Sequence, residues 1–260
     1  MPLIRVEVLG SGTSVGVPTV GCSCAVCTSS DPRNQRLRPS ILIRYGDHNI
    51  VIDTTPDFRQ QALRAGLKRL DAILFTHGHA DHIMGLDDVR PFNFRQGAIP
   101  IYGSAETLAV IRRAFSYIFD CTEAESHVPK LELHELDGSS FELFGLTFTP
   151  IPLKHGRSRC FGFRFGRIAY LTDHSEIPPE AFPLLNDLEV LFLDALRYRP
   201  HPTHSTVEQS LEYARQINAR RVFFTHISHD LDHQAAEGAL PAHVRLAYDG
   251  LRVDVEECAG

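Results

Sequence analysis

Apolar residues gather along this chain in short runs, not in one long helical stripe. Segments rich in β-branched and aromatic residues recur from end to end: "IRVEVLG", "SILIRYG", "NIVID", "DAILFT", "LTFTPIPL", "FGFRFG", "RIAYLTD", "EVLFLDA", "RVFFTH" and "VRLAYDG". Several are continuous apolar runs bounded by Gly, Asp or Pro, the pattern of strands buried on both faces. Helical periodicity appears over 57–66, 104–118, 178–185 and 206–218, and the second and fourth of these begin beside Ser104 and Thr206, which can cap them. Strands in two groups with helices between them predict two packed sheets covered by helices, an α/β sandwich. There is no internal repeat at a fixed period, no low-complexity tract and no charge run.

Composition narrows this picture only a little. A chain of 260 residues, 43% hydrophobic and 22% charged, can bury one sizeable core, so a single domain over 1–260 is expected. The formal net charge of −6 gives no global attraction to nucleic acid, and a long nucleic-acid partner would need a local basic patch. The opening "MPLIRVEVLG" has no charged segment leading into a long apolar stretch, and no run approaches the ~18 apolar residues of a membrane span. The expectation is a cytoplasmic protein without membrane contact.

Chemistry enters through placement. His77 follows "ILFT", His155 follows "PIPLK", Asp173 follows "AYLT" and His226 follows "VFFT". Each hydrophobic strand thus delivers a ligand-type residue at its C-terminal end, where α/β folds keep their sites. The densest stretch is "FTHGHADHIMG", with His77, His79, Asp81 and His82. After the break at Gly78, His77 and His79 can converge on one ion while Asp81 and His82 face a second. Imidazole nitrogen and carboxylate oxygen suit zinc, manganese or iron, and an aspartate such as Asp173 can bridge two ions. Two ions about 3.5 to 4 Å apart lower the pKa of a water and clamp both oxygens of a displacement.

The cysteines follow a different logic. Cys22, Cys24 and Cys27 form "CSCAVC", a spacing too tight for an ordinary disulfide framework and suited to gathering thiolates round a metal. Cys121, Cys160 and Cys258 are scattered and read as packing or incidental surface thiols.

"THGHADH", with His155, Asp173 and His226 in order downstream, resembles the metallo-β-lactamase superfamily over nearly the whole chain. The resemblance implies a four-layer αββα sandwich with a dinuclear metal site at one edge. It implies that His77, His79 and His155 hold the first metal, that Asp81, His82 and His226 hold the second, and that Asp173 bridges. "LGSGTSVGVP" at 9–18 and "THSTVEQ" around His204 are similar to the ribonuclease Z-like branch, in which such a histidine lies near the scissile phosphate. "CSCAVC" taken with His229 of "THISH" resembles the PhnP-type phosphodiesterases, which open a phosphoribosyl 1,2-cyclic phosphate, and implies a structural zinc on Cys22, Cys24, Cys27 and His229. The resemblance also implies a homodimer.

These implications define an expected function: hydrolysis of a small phosphodiester, with a metal-held hydroxide as nucleophile, Asp81 orienting it and His204 protonating the leaving oxygen. The active-site ions would be manganese, zinc or both. Lys154, Arg157 and Arg159 surround His155, and Arg197 and Arg199 precede His204; Arg157 and Arg197 are the first candidates for binding phosphate. Asp53, Asp57 and Asp194 can support the histidines or serve as strand-end turns. Two enzymes of the same superfamily compete with this reading, a ribonuclease Z that trims tRNA 3′ ends and a hydrolase of carbon esters, lactams or thioesters. The acidic charge and the compact stretch from His155 to Asp194 disfavour tRNA. A metal-binding module without catalysis is disfavoured by the complete ligand set.

Overall fold

Alternate positions of the strands face different layers, and that alternation builds the molecule. The structure is a computed structural model and describes residues 3–120 and 128–256, so Cys121 and Cys258 lie outside it. One seven-stranded sheet contains β1 (Leu3–Gly10), β2 (Ser40–Tyr45), β3 (His48–Ile52), β4 (Ala72–Leu74), β5 (Ile99–Gly103), β6 (Leu131–Glu135) and, at its far edge beside β1, β14 (Arg252–Glu256). The other contains β7 (Phe141–Leu143), β8 (Leu146–His155), β9 (Ser158–Phe165), β10 (Ile168–Leu171), β11 (Val190–Asp194), β12 (Arg221–Thr225) and β13 (Val244–Leu246), paired in sequence order. Each sheet is antiparallel in one half and parallel in the other: β3 to β6 and β10 to β13 run parallel.

Between the sheets lie Ile4, Val6, Ile41, Ile43, Ile50 and Ile52 from one side and Phe163, Phe165, Tyr170, Val190, Phe192 and Phe223 from the other. Their neighbours point outward. Leu42, Val51 and Ile73 meet helices α1 (Phe58–Arg64) and α4 (Ala105–Ala114), while Leu171, Leu191, Leu193 and Phe224 meet α6 (Val207–Ile217) and α7 (His233–Glu237). Both faces of each sheet are therefore apolar, which is why so many strands read as unbroken hydrophobic runs. The architecture is the four-layer αββα sandwich. Short helices α2 (Ala80–Ile83), α3 (Arg90–Gln96) and α5 (Ser116–Phe119) complete the first outer layer. Among the described residues no helix is long and apolar enough to cross a membrane.

Three helical expectations need correction. In place of an α-helix over 178–185, Pro179–Leu185 form a 3-10 helix with Pro178 outside it, and Pro183 within it would interrupt an α-helical ladder. The expected helix over 104–118 breaks at Phe115 (φ −118°) into α4 and α5. That over 57–66 ends sooner, with Gly66 at φ +62° turning the chain away. The caps are as expected: Ser104 accepts from the Thr107 amide, and Thr206 forms a reciprocal capping box with Gln209. Edge strands β6, β7 and β14 were not legible as apolar runs, since their burial is partial or alternating.

Phe192 sits at the centre of the inter-sheet layer, fully buried, 5.4 Å from the Phe223 ring and 6.3 Å from Tyr170. Phe192→Ala is expected to lower unfolding free energy by about 3–5 kcal/mol in urea titration, with native circular dichroism retained at low denaturant.

Candidate metal centre

The parallel strands end together at one edge of the sandwich. β3 hands over to Asp53, β10 to Asp173 and β12 to His226, and all three adopt left-handed backbone, with φ of 65°, 57° and 58°. Non-glycine residues rarely adopt it, at a cost on the order of 1–3 kcal/mol each, and such strain collects at functional sites.

Here the side chains converge in two groups. The donor atoms of His77, His79 and His155 lie within 4.8 Å of one another, and so do those of Asp81, His82, Asp173 and His226. Asp173 also lies within that distance of His155, so it stands between the groups as a bridging carboxylate would. The ring centroids of His77, His79 and His155 are 4.5 to 5.2 Å apart.

Hydrogen bonds fix which ring nitrogen faces inward. The Asp53 carboxylate accepts from His82 Nδ1 at 2.7 Å, from the Thr76 hydroxyl at 2.8 Å and from the Thr76 amide at 2.9 Å. Because the Thr76 hydroxyl proton points to Asp53, its oxygen accepts from His77 Nδ1 at 3.0 Å. His155 Nδ1 donates to the Thr203 carbonyl at 2.9 Å. In each case the outer nitrogen is protonated and Nε2 is left with a lone pair. His77 Nε2, His82 Nε2 and both nitrogens of His226 are buried without a hydrogen-bond partner. His82 Nε2 lies 3.2 Å from Asp173 and 3.3 Å from Asp81, and His226 Nε2 lies 3.3 Å from Asp173. Lone pairs and carboxylates facing one another across such gaps fit divalent cations as the missing partner.

Electrostatics agrees. Burial pushes the His77 pKa well below the usual imidazole range. Burial acts the same way on His82, yet Asp173, Asp53 and Asp81 overcome it and carry that pKa well above normal. A site that draws a proton onto a fully buried imidazole holds excess negative charge, which a cation neutralises.

His204 stands beside this centre. It stacks on His226 with ring centroids 4.4 Å apart and lies 4.9 Å from His155. Its Nδ1 donates to Asp194 Oδ2 at 2.9 Å. Burial would lower its pKa, but the charge of Asp194 and this hydrogen bond outweigh burial and raise it. Asp194 is itself fixed at the end of β11, where the His174 amide reaches its side chain at 3.3 Å.

Sulfur gathers at a second place. Cys22, Cys24 and Cys27 lie 3.3, 3.6 and 3.3 Å from His229 Nδ1. Tetrahedral zinc with usual bond lengths requires an S···N separation of about 3.5 Å, so the donor set fits that ion. The Cys27 amide, donating to the Cys24 sulfur, leads the lowering of that thiol's pKa to about 6. Arg36, 1% exposed, braces the loop that joins the two centres, donating to the carbonyls of Ser228 and Leu231 at 2.9 and 2.8 Å. The glycine-rich segment 9–18 packs beside Arg36 on the same loop: the Thr13 amide donates to the Ile227 carbonyl and the Ile227 amide to that of Ser11. A Cβ on Gly12 would sit 2.8 Å from the Arg36 carbonyl, so only glycine allows this approach.

Of the remaining candidates, Asp53 and Asp194 support histidines, whereas Asp57 pairs with Arg38 at 3.0 Å. Arg157 is exposed in the turn after His155. Arg197 folds onto the carbonyls of Arg199 and Pro200. Lys154 pairs with Glu176 and Arg199 with Asp230. Thr76, Thr203 and Arg36 hold these side chains and their loops in place; Thr76 and Thr203 stand within the "THGHADH" and "THSTVEQ" segments without being singled out by them, and Arg36 lies in no motif.

A four-layer sandwich with this edge of histidines and aspartates defines the class: metal-dependent hydrolases of the metallo-β-lactamase fold, which work with divalent metals. The chain belongs to the beta-lactamase superfamily, whose domain model matches residues 48–227. It is similar to a crystallised diphosphatase of the PhnP family, with a TM-score of 0.93 and 49% identity over 99% of this chain and 100% of that one. It is 40% identical over 258 residues to the octanoyltransferase of Porphyromonas gingivalis, covering 98% of this chain and 52% of that protein. It is 31% identical over 143 residues to the ribonuclease Z of Bradyrhizobium diazoefficiens, covering 53% of this chain and 47% of the relative. The chain thus spans about half the length of these curated relatives.

Asp53→Ala removes the partner that orients His82. It is expected to weaken divalent-metal binding about 10- to 100-fold in chelator competition while the folded spectrum persists.

Proposed function

We propose that the chain hydrolyses small phosphoric diesters, cyclic ribose phosphates among them, and that His204 protonates the leaving oxygen. The observation that carries this reading is the Asp194–His204 pair beside the donor cluster, with Nδ1 engaged by Asp194 at 2.9 Å. Alkoxide leaving groups need a proton as the P–O bond breaks, and Asp194, by holding the Nδ1 proton, stabilises the His204 imidazolium, whose Nε2 proton is the one that can be transferred. His77, His79 and His155 hold one divalent ion and Asp81, His82 and His226 a second, with Asp173 between; manganese and zinc both suit the set. Such a pair supplies Lewis acidity, lowering the pKa of water and neutralising charge on a phosphoryl group. Asp81 orients the attacking water as well as serving as a metal ligand. Arg157, exposed and flanking His155, binds phosphate if its side chain swings inward; Arg197 would first have to leave its carbonyl partners.

A second reading keeps every residue role and changes the bond: cleavage of a diphosphate anhydride, favoured by the likeness to the PhnP-family diphosphatase. A ribonuclease Z activity has less support, since that likeness covers half the chain. Cys22, Cys24, Cys27 and His229 hold a structural zinc that ties the cysteine loop to the loop carrying His226. We place the chain in the cytoplasm, as a homodimer.

His204→Ala is expected to keep its metal while kcat on a ribose 1,2-cyclic phosphate falls about 10²- to 10⁴-fold. The loss on bis-p-nitrophenyl phosphate, whose leaving group needs little protonation, should be much smaller. Equal losses on both would remove the proton-donor role, and turnover of carboxylic esters without diester cleavage would overturn the whole reading. Elemental analysis of Cys24→Ser should show one zinc fewer per chain than the native protein and a lower Tm, with the active-site ions retained.

A further inference from the structure

His201 opens the segment "HPTH" that ends in His204, and nothing above uses it. Its ring packs against His204, 5.1 Å between centroids and tilted by 42°. The Thr203 amide donates to His201 Nδ1 at 3.4 Å, and the Thr203 hydroxyl lies 3.1 Å from the same nitrogen. An amide N–H can only donate, so Nδ1 is the acceptor and the neutral ring carries its proton on Nε2. The Nε2–H finds no partner among the described residues, and the side chain is partly exposed. Thr203 meanwhile gives its carbonyl to His155, so one residue sets both imidazoles.

The outcome is an N–H donor on the ring that packs against the proton donor of the reaction. Because His204 gives its proton to the departing oxygen, a donor packed against its ring is a neighbour of the leaving side. We infer that His201 is a specificity-determining residue that hydrogen-bonds an anionic oxygen on the leaving side of the substrate, and so favours a leaving phosphate over an uncharged alcohol. This rests on the phosphoryl-transfer reading above. In that reaction the water oxygen bonds to phosphorus and gives up a proton to solvent, the bridging P–O bond breaks, and the His204 proton passes to the departing oxygen, His204 then regaining a proton from solvent. His201 binds without being consumed.

The test compares a dinucleoside diphosphate, whose leaving group is a nucleoside monophosphate, with bis-p-nitrophenyl phosphate. For His201→Ala the ratio of kcat/KM between the two substrates is expected to fall about tenfold against the diphosphate, mainly through KM. His201→Asn keeps an acceptor for the Thr203 amide but loses the distal donor, and should match the alanine variant. His201→Gln restores a donor near the Nε2 position and should recover part of the ratio. If the asparagine variant behaves as the native enzyme, or if both substrates lose equally in every variant, the residue merely holds its turn and the inference fails. It fails too if the native enzyme cleaves the diester and leaves the diphosphate intact. Native protein inert towards both would overturn the phosphoryl-transfer reading beneath it.

Discussion

Buried negative charge is the constraint on which this structure depends. Asp53, Asp173 and Asp194 are almost fully removed from solvent within one edge of the sandwich, beside the partly buried Asp81. An isolated buried carboxylate is costly by many kcal/mol and ordinarily neutralises itself by taking up a proton. Here Asp53 is answered by His82 and Asp194 by His204, whereas Asp173 faces the inner nitrogens of His82 and His226, where a cation is the missing partner. Asp53 and Asp194 accept from protonated Nδ1 atoms and thereby turn unprotonated or reactive Nε2 atoms inward. Charge compensation and the selection of tautomers are thus one arrangement.

That arrangement needs several strands to end in register, and loops with little apolar content to hold still. The sheets provide the first, since the parallel pairing of β10, β11 and β12 aligns Leu171, Leu193 and Phe224 just before Asp173, Asp194 and His226. The second comes from cross-links outside regular structure. The buried Arg36 fan, the Gly12 to Ile227 bridge and the Cys22, Cys24, Cys27 and His229 cluster all act on residues 226 to 231. A histidine held at φ 58° at the end of β12 has every adjoining segment tied down. Strain of that sort persists only where the surroundings over-determine it.

The donors were legible in the sequence because each follows an apolar run long enough to be a strand, and because "THGHADH" compresses four of them into one turn. The sandwich was legible because strands buried on both faces leave unbroken hydrophobic runs. What supports the donors was harder to see. Thr203 acts through its carbonyl on His155 and Arg36 through main-chain carbonyls of Ser228 and Leu231, contacts between residues about 48 and 192 positions apart that no local pattern encodes. Asp53, Asp57 and Asp194 looked alike as strand-end aspartates, and only the tertiary structure separates the two that hold histidines from the one that pairs with Arg38.

The likeness to an octanoyltransferase raises the question whether this chain could move an acyl group, and its thiols bear on the answer. Acyl transfer through a covalent thioester requires a partly exposed thiolate of lowered pKa. Cys160 is buried, its thiol faces the Asp173 carbonyl at 3.2 Å, and burial pushes its pKa well up. Cys24 has the lowered pKa, but its sulfur converges with Cys22 and Cys27 on His229, the geometry of a closed metal site. Among the described residues, then, the buried thiol is inert and the activated one lies within the Cys22, Cys24, Cys27 and His229 cluster. This chain spans about half of that relative. The Asp194–His204 pair supports the proposed reading, a reaction that needs a proton for its leaving group and no covalent nucleophile, as phosphoester hydrolysis at a metal centre does.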